Sequence, residues 1–151
     1  MWYGYPRATQ DTDLLVAKPD RARWEQVMSD LGYKVFHDGG AFLQFTPASG
    51  VGWELDLMFV AQPTFDQMLA DSKPVKIEGR AVRVPSLDHL FALKIHALKH
   101  GSGLQVVKDM NDIVEMAGAN QVDARSERFR RLFEKYGDLN LYERVVKACA
   151  R

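Results

Sequence analysis

The chain has a single cysteine, Cys149. One thiol closes no internal disulfide and offers no second thiolate to a structural zinc ion, so both staples of small secreted domains are excluded and a reducing compartment fits. No apolar run approaches the ~20 residues needed to cross a bilayer, and the N-terminus lacks a basic region followed by an apolar one. The expected location is the cytoplasm, with no membrane partner. An excess of one charge is also missing. Lys plus Arg and Asp plus Glu are 20 each, for a formal net charge of zero, which removes the case for a polyanion-binding protein as a whole and leaves any nucleic-acid contact to a local patch. Internal repeats, low-complexity stretches and interdomain linkers are absent too. The 151 residues, 46% of them hydrophobic, can supply one core, so a single domain over 1–151 is expected.

Periodicity divides what is present into strands first and helices after. "TDLLVA" (12–17), a leucine and β-branched run ended by "KPD", predicts a buried strand, and Pro19 suits the first turn of a helix. In "PDRARWEQVMSDLGY" apolar residues recur at Trp24, Val27, Met28 and Leu31, and Gly32 stops the helix as a left-handed cap. "YKVFHDGGAFLQFT" predicts a hairpin about Gly39 and Gly40, and "PASGVG" turns the chain into a further strand, "WELDLMFV" (53–60). "PTFDQMLADS" predicts a short helix, and "VKIEGRAVRVP" a second hairpin about Glu78 and Gly79. From Ser86, which can cap "SLDHLFALKIHALKH", the pattern is helical: a "GSG" break, "LQVVKDMNDIVEMAGA", and amphipathic segments at 123–136 and 140–150. The class is α+β, with a sheet core over about 1–85 and a helical C-terminal part over about 86–151.

The chemistry gathers on carboxylates. Asp11 and Asp13 flank Thr12 at the mouth of the first strand, where residues i and i+2 share a face. Two carboxylates so placed repel unless a cation lies between them, and an oxygen-rich site with more than one carboxylate suits Mg2+. "WELDLMFV" adds Asp56 between Leu55 and Leu57, on the face of Glu54 and Met58. An aspartate inside an apolar strand is expensive unless paired or metal-bound. Three such carboxylates could hold two metal ions, one activating a hydroxyl and one stabilising a leaving pyrophosphate. A plainer reading stands beside this one. Asp-x-Asp before a strand is also a turn or cap signal, and Asp56 fits a solvated edge residue beside Glu54.

Four segments carry a resemblance. "YGYPRATQDTDLLV" resembles the R-x-T-x-D-x-D-hydrophobic segment of minimal nucleotidyltransferases in the DNA polymerase beta superfamily, particularly the AbiEii/AbiGii-like toxin group. "ELDLMF" is similar to their third-aspartate strand, and "PSLDHLFALKIHALKH" and "VVKDMNDI" to their helical motifs, with a lysine in the first and Lys-Asp-x-x-Asp in the second. The four keep one order and are spread over residues 3–113 of the chain, a joint signal more specific than any one motif.

The resemblance implies a small mixed sheet of polymerase beta-like type followed by helices, and transfer of a nucleoside monophosphate from an NTP to a hydroxyl. Carried over by motif, Asp11 and Asp13 would ligate Mg2+ or Mn2+, Asp56 would complete the site and help deprotonate the acceptor, Lys94 would contact phosphate, and Arg7 and Thr9 would position phosphate or brace the loop. Asp109 is a further site candidate, with Asp112 ranked below it. On the residues alone, Lys94 equally fits a helix lysine snorkelling to water, and Lys108 with Asp112 an i, i+4 surface pair. His96 falls away from Lys94 on the helix and reads as structural, while His37, His89 and His100 show no metal-ligand spacing. The implied acceptor is RNA or protein, as in a toxin with an antitoxin partner. Alternatives are a small-molecule enzyme of the aminoglycoside or lincosamide type and a catalytically degenerate binding domain. The superfamily's Gly-Gly or Gly-Ser pair, some ten residues upstream of its first aspartate, has no counterpart before Asp11; Gly4 stands too close. Either the natural chain begins upstream of Met1, or this form binds NTP weakly.

Overall fold

The computed structural model describes residues 11–150, with the backbone alone at Asp11. They form two compact units, residues 11–72 and 73–150.

The first unit is a four-stranded sheet of β1 (Asp11–Ala17), β2 (Tyr33–Asp38), β3 (Phe42–Pro47) and β4 (Glu54–Val60), in the order β1-β4-β3-β2. β1 and β4 run parallel, while β3 is antiparallel to both β4 and β2, so the sheet is mixed. Helix α1 (Arg21–Asp30) follows β1 through one 3-10 turn, Lys18–Asp20, and it is this turn that contains Pro19. α1 ends as expected at Gly32, whose φ of 81° is open to glycine at little cost. Met28 and Trp24 of α1 pack on one sheet face with Val16, Leu43, Phe45 and Leu57. Alternation then decides everything on the other face. Leu57 is 0% exposed, and burying such a side chain contributes about 1.5–3 kcal/mol. A one-residue slip of β4 would expose it and drive Asp56 into the core. Helix α2 (Gln62–Ala70) closes this unit.

The second unit opens with a two-stranded hairpin, β5 (Lys73–Ile77) and β6 (Arg80–Val84). Its turn puts Glu78 at φ 49° and Gly79 at φ 78°, the paired positive angles that suit a two-residue hairpin. The hairpin groups with the helices rather than with the sheet, so the compact boundary falls at 72/73. Four helices follow: α3 (Leu87–His100), α4 (Gly103–Ala119), α5 (Glu127–Tyr136) and α6 (Leu139–Cys149). Their core is aromatic at its centre, with Phe91 edge-on to Phe129 at 5.1 Å and Phe129 to Phe133 at 5.3 Å. The Ser86 hydroxyl accepts from the His89 amide and caps α3 as expected. α5 begins four residues later than the apolar pattern predicts. Asp123 accepts the Arg125 amide at 2.8 Å in a turn, and Ser126 accepts the Phe129 amide at 3.3 Å as N-cap, so these short polar side chains hold the approach out of the helix. Among the described residues no helix is long and apolar enough to cross a membrane.

Candidate active site

β4 is an interior strand, flanked by β1 and β3, and Asp56 on it is half-buried. The edge-strand reading of Asp56 is therefore corrected. Register sets Asp13 of β1 opposite Asp56, Asp11 opposite Glu54, and Gln44 of β3 opposite Asp56 from the other side. Neighbouring strands lie ~4.8 Å apart, and like charges directly opposite each other destabilise a sheet. Asp13 is exposed. Asp56 is tied down: the Gln44 Nε2 amide donates to its Oδ2 at 3.1 Å. Two carboxylates on adjacent strands, one of them oriented by a neutral donor, fit a hard divalent cation, whose ligands are oxygens and whose carboxylates are themselves hydrogen-bonded. Among the described residues no three His, Cys, Asp or Glu gather as a metal-binding group. Arg7, Thr9 and the side chain of Asp11 lie outside the described residues.

A second polar centre belongs to the helical unit. Lys94 of α3 places Nζ 2.9 Å from Asp109 Oδ1 and 2.8 Å from Asp112 Oδ2, both on α4. Gln105 Nε2 donates to the other oxygen of Asp109 at 2.9 Å. Asp109 is 0% and Asp112 5% exposed. Both alternative readings of this segment are thus corrected. Lys94 is not a lysine reaching for open water, and Asp112 is not a surface partner for Lys108, because each is drawn into an ion cluster that the α3–α4 packing covers. Burial of the ammonium works to lower its pKa, but the hydrogen bonds it donates to Asp112 and Asp109, and their charges, outweigh it and hold Lys94 above the usual lysine value. An ammonium has three N–H donors; two are used here. The cluster carries one positive and two negative charges, so it holds no surplus of positive charge.

His96 is exposed, with its ring 4.5 Å from that of His100, and packs into no core. The two glutamines were not singled out from the sequence. Gln105 stands four residues before Asp109, a spacing at which a helix pairs Gln with Asp, and that signal was readable. Gln44 gave none without the register of β3 against β4.

A profile of the family described as uncharacterised nucleotidyltransferase matches residues 4–151. The chain belongs to that family. The nucleotidyltransferase match spans both units and includes every site candidate named above. A similar solved structure is an antigenic nucleotidyltransferase-like protein from Paracoccidioides brasiliensis, 16% identical, with 91% of this chain and 75% of that chain covered at a TM-score of 0.45. No curated protein matches the nucleotidyltransferase chain in sequence.

Proposed function

We propose that this nucleotidyltransferase moves a nucleoside monophosphate from an NTP to a hydroxyl of a macromolecular acceptor, RNA or protein, with Mg2+ or Mn2+ held by Asp11, Asp13 and Asp56. The observation that carries the reading is the side-by-side register of Asp13 and Asp56 on parallel strands, in a chain of nucleotidyltransferase family. The divalent ion, when bound, offsets the charge of the carboxylates and of the triphosphate. Asp56 accepts the proton of the acceptor hydroxyl. The freed oxygen attacks the α-phosphorus, the bond from that phosphorus to the β-phosphate bridging oxygen breaks, and pyrophosphate leaves with the electron pair. For Lys94 the motif supports a phosphate contact through its remaining N–H, and Asp109 is then the residue that holds the lysine. The order of the four sequence motifs supports a toxin of the AbiEii/AbiGii-like type, with an antitoxin as partner.

The test is incubation of the chain with α-labelled NTPs, Mg2+ and a cell lysate that is then fractionated. Label should enter RNA or protein with the wild type and fall at least about a hundredfold in Asp13→Asn and Asp56→Asn, the scale on which an electrostatic catalytic group is missed. Label confined to small molecules would move the acceptor to the antibiotic class. Transfer that survives both substitutions would refute the carboxylate mechanism.

A further inference from the structure

We infer that Gln44 is a positioning residue of the metal centre: its amide holds Asp56 in one orientation while adding no positive charge that would compete with the cation. This rests on the reading of Asp13 and Asp56 as metal ligands.

The backbone of Gln44 is fixed from both sides, because β3 is paired with β2 and with β4. Its side-chain direction is fixed by its neighbours. Leu43 and Phe45 are 1% and 2% exposed in the core, so the alternation of the strand sends Gln44 to the carboxylate face. There it meets its register partner, and Nε2 donates to Oδ2 of Asp56 at 3.1 Å. The bond engages one oxygen of Asp56, Oδ2, and so fixes the plane of the carboxylate.

The kind of donor matters as much as its place. A carboxylate in a sheet could be satisfied by Lys or Arg, but either would bring the charge that the metal is needed to supply. The helical unit shows that solution at Asp109 and Asp112, which take the Lys94 ammonium. At Asp56 the chain uses a neutral amide instead. That choice keeps the full negative charge of Asp56 available while removing its rotational freedom, which is what an outer-shell partner of a metal ligand does.

The experiment is a Mn2+ titration of the full chain followed by electron paramagnetic resonance, with melting of the metal-free protein measured alongside. Gln44→Met keeps the volume and removes the donor; it should weaken Mn2+ binding by ~10–100-fold, the usual range for loss of such a partner. Gln44→Asn keeps an amide on a shorter arm and serves if the Met variant fails to fold, with loss in the same direction expected. Gln44→Lys should abolish Mn2+ binding and raise the melting temperature of the metal-free protein, because the ammonium then occupies the place of the cation. Asp56→Asn is the control for the site itself. If Asp56→Asn loses Mn2+ while the folded Gln44 variant binds it like the wild type, the role of Gln44 is refuted and the metal centre stands. If Asp56→Asn also binds Mn2+ unchanged, the metal centre falls and the role of Gln44 with it. Retained Mn2+ binding in Gln44→Lys would likewise overturn the inference.

Discussion

Replacing Lys94 with methionine should strand two carboxylates inside the helical unit. Asp109 is 0% exposed, and the side chain of Asp112 only 7%. Breaking a buried ion pair by removing one partner costs ~3–5 kcal/mol, because the remaining charge stays in a low dielectric without compensation. Two features place this case at the lower end. The Lys94 side chain is 32% exposed, so water can reach the vacated position, and Asp109 keeps its bond from Gln105. A loss of about 3 kcal/mol corresponds to a fall of roughly 6–12 °C in Tm for a chain of this size. Adding Asp109→Asn and Asp112→Asn to the same chain removes the stranded charges, and most of the loss should return, since neutral replacement of a whole buried ion cluster is close to neutral in stability. The pH dependence has a definite sign. The folded-state pKa of Lys94 is raised above the usual 10.5, so its contribution is complete below that value and is lost only as pH rises through the higher one. The Tm difference between wild type and Lys94→Met should therefore be flat from about pH 7 to 10 and close above that. Calorimetric melts across pH 7–11 measure it. A variant that melts within about 2 °C of the wild type at pH 7, or a gap that closes well below pH 10, would refute the cluster as a structural element. Transfer activity that returned together with stability in the triple variant would remove Lys94 from the phosphate site.

Gly137→Ala should destabilise the protein by about 1–3 kcal/mol, the range for an overpacked core, because a Cβ there would lie 2.7 Å from Ile95 Cγ2 and 3.3 Å from the Phe133 carbonyl oxygen; a thermal melt unchanged from wild type would contradict this. Burial pushes the Cys149 thiol pKa up, so less thiolate is present in the folded chain and alkylation by iodoacetamide at pH 8 should be slower than in the same chain unfolded in denaturant. Equal rates in both states would overturn that expectation.

Elements whose backbone is dictated locally were readable from the sequence. Gly32 ends α1, Ser86 starts α3, and the Glu78-Gly79 pair makes its hairpin, each through a side chain or a φ angle belonging to the residue itself. The start of α5 departs from the apolar period, which continues back through residues that Asp123 and Ser126 commit to a turn and a cap. The grouping of β5 and β6 with the helices was not readable at all. A hairpin announces its turn through two residues, but its neighbours are chosen by contacts distant in sequence.

The same division runs through the candidate site. Alternation in "ELDLMF" places Asp56 opposite the core face, but only the non-local insertion of β4 beside β1 sets it against Asp13, and only the β3 register adds Gln44. The helical cluster was closer to the surface of the sequence than the surface-pair reading allowed. Asp109, Asp112, Ile113, Met116 and Ala117 are the buried residues of α4, at the i, i+3, i+4, i+7, i+8 spacing of one core stripe. Lys94 likewise sits between Phe91 and Ile95, both of which are buried on α3. Two apolar stripes interrupted by charges of opposite sign can pack together only if the interruptions meet, because a buried aspartate without a partner costs more than a leucine beside it contributes. Read as a pair, the stripes of "LFALKIHAL" and "VVKDMNDIVEMA" require Lys94 to face Asp109 and Asp112, and the distances of 2.9 and 2.8 Å are where that requirement is met.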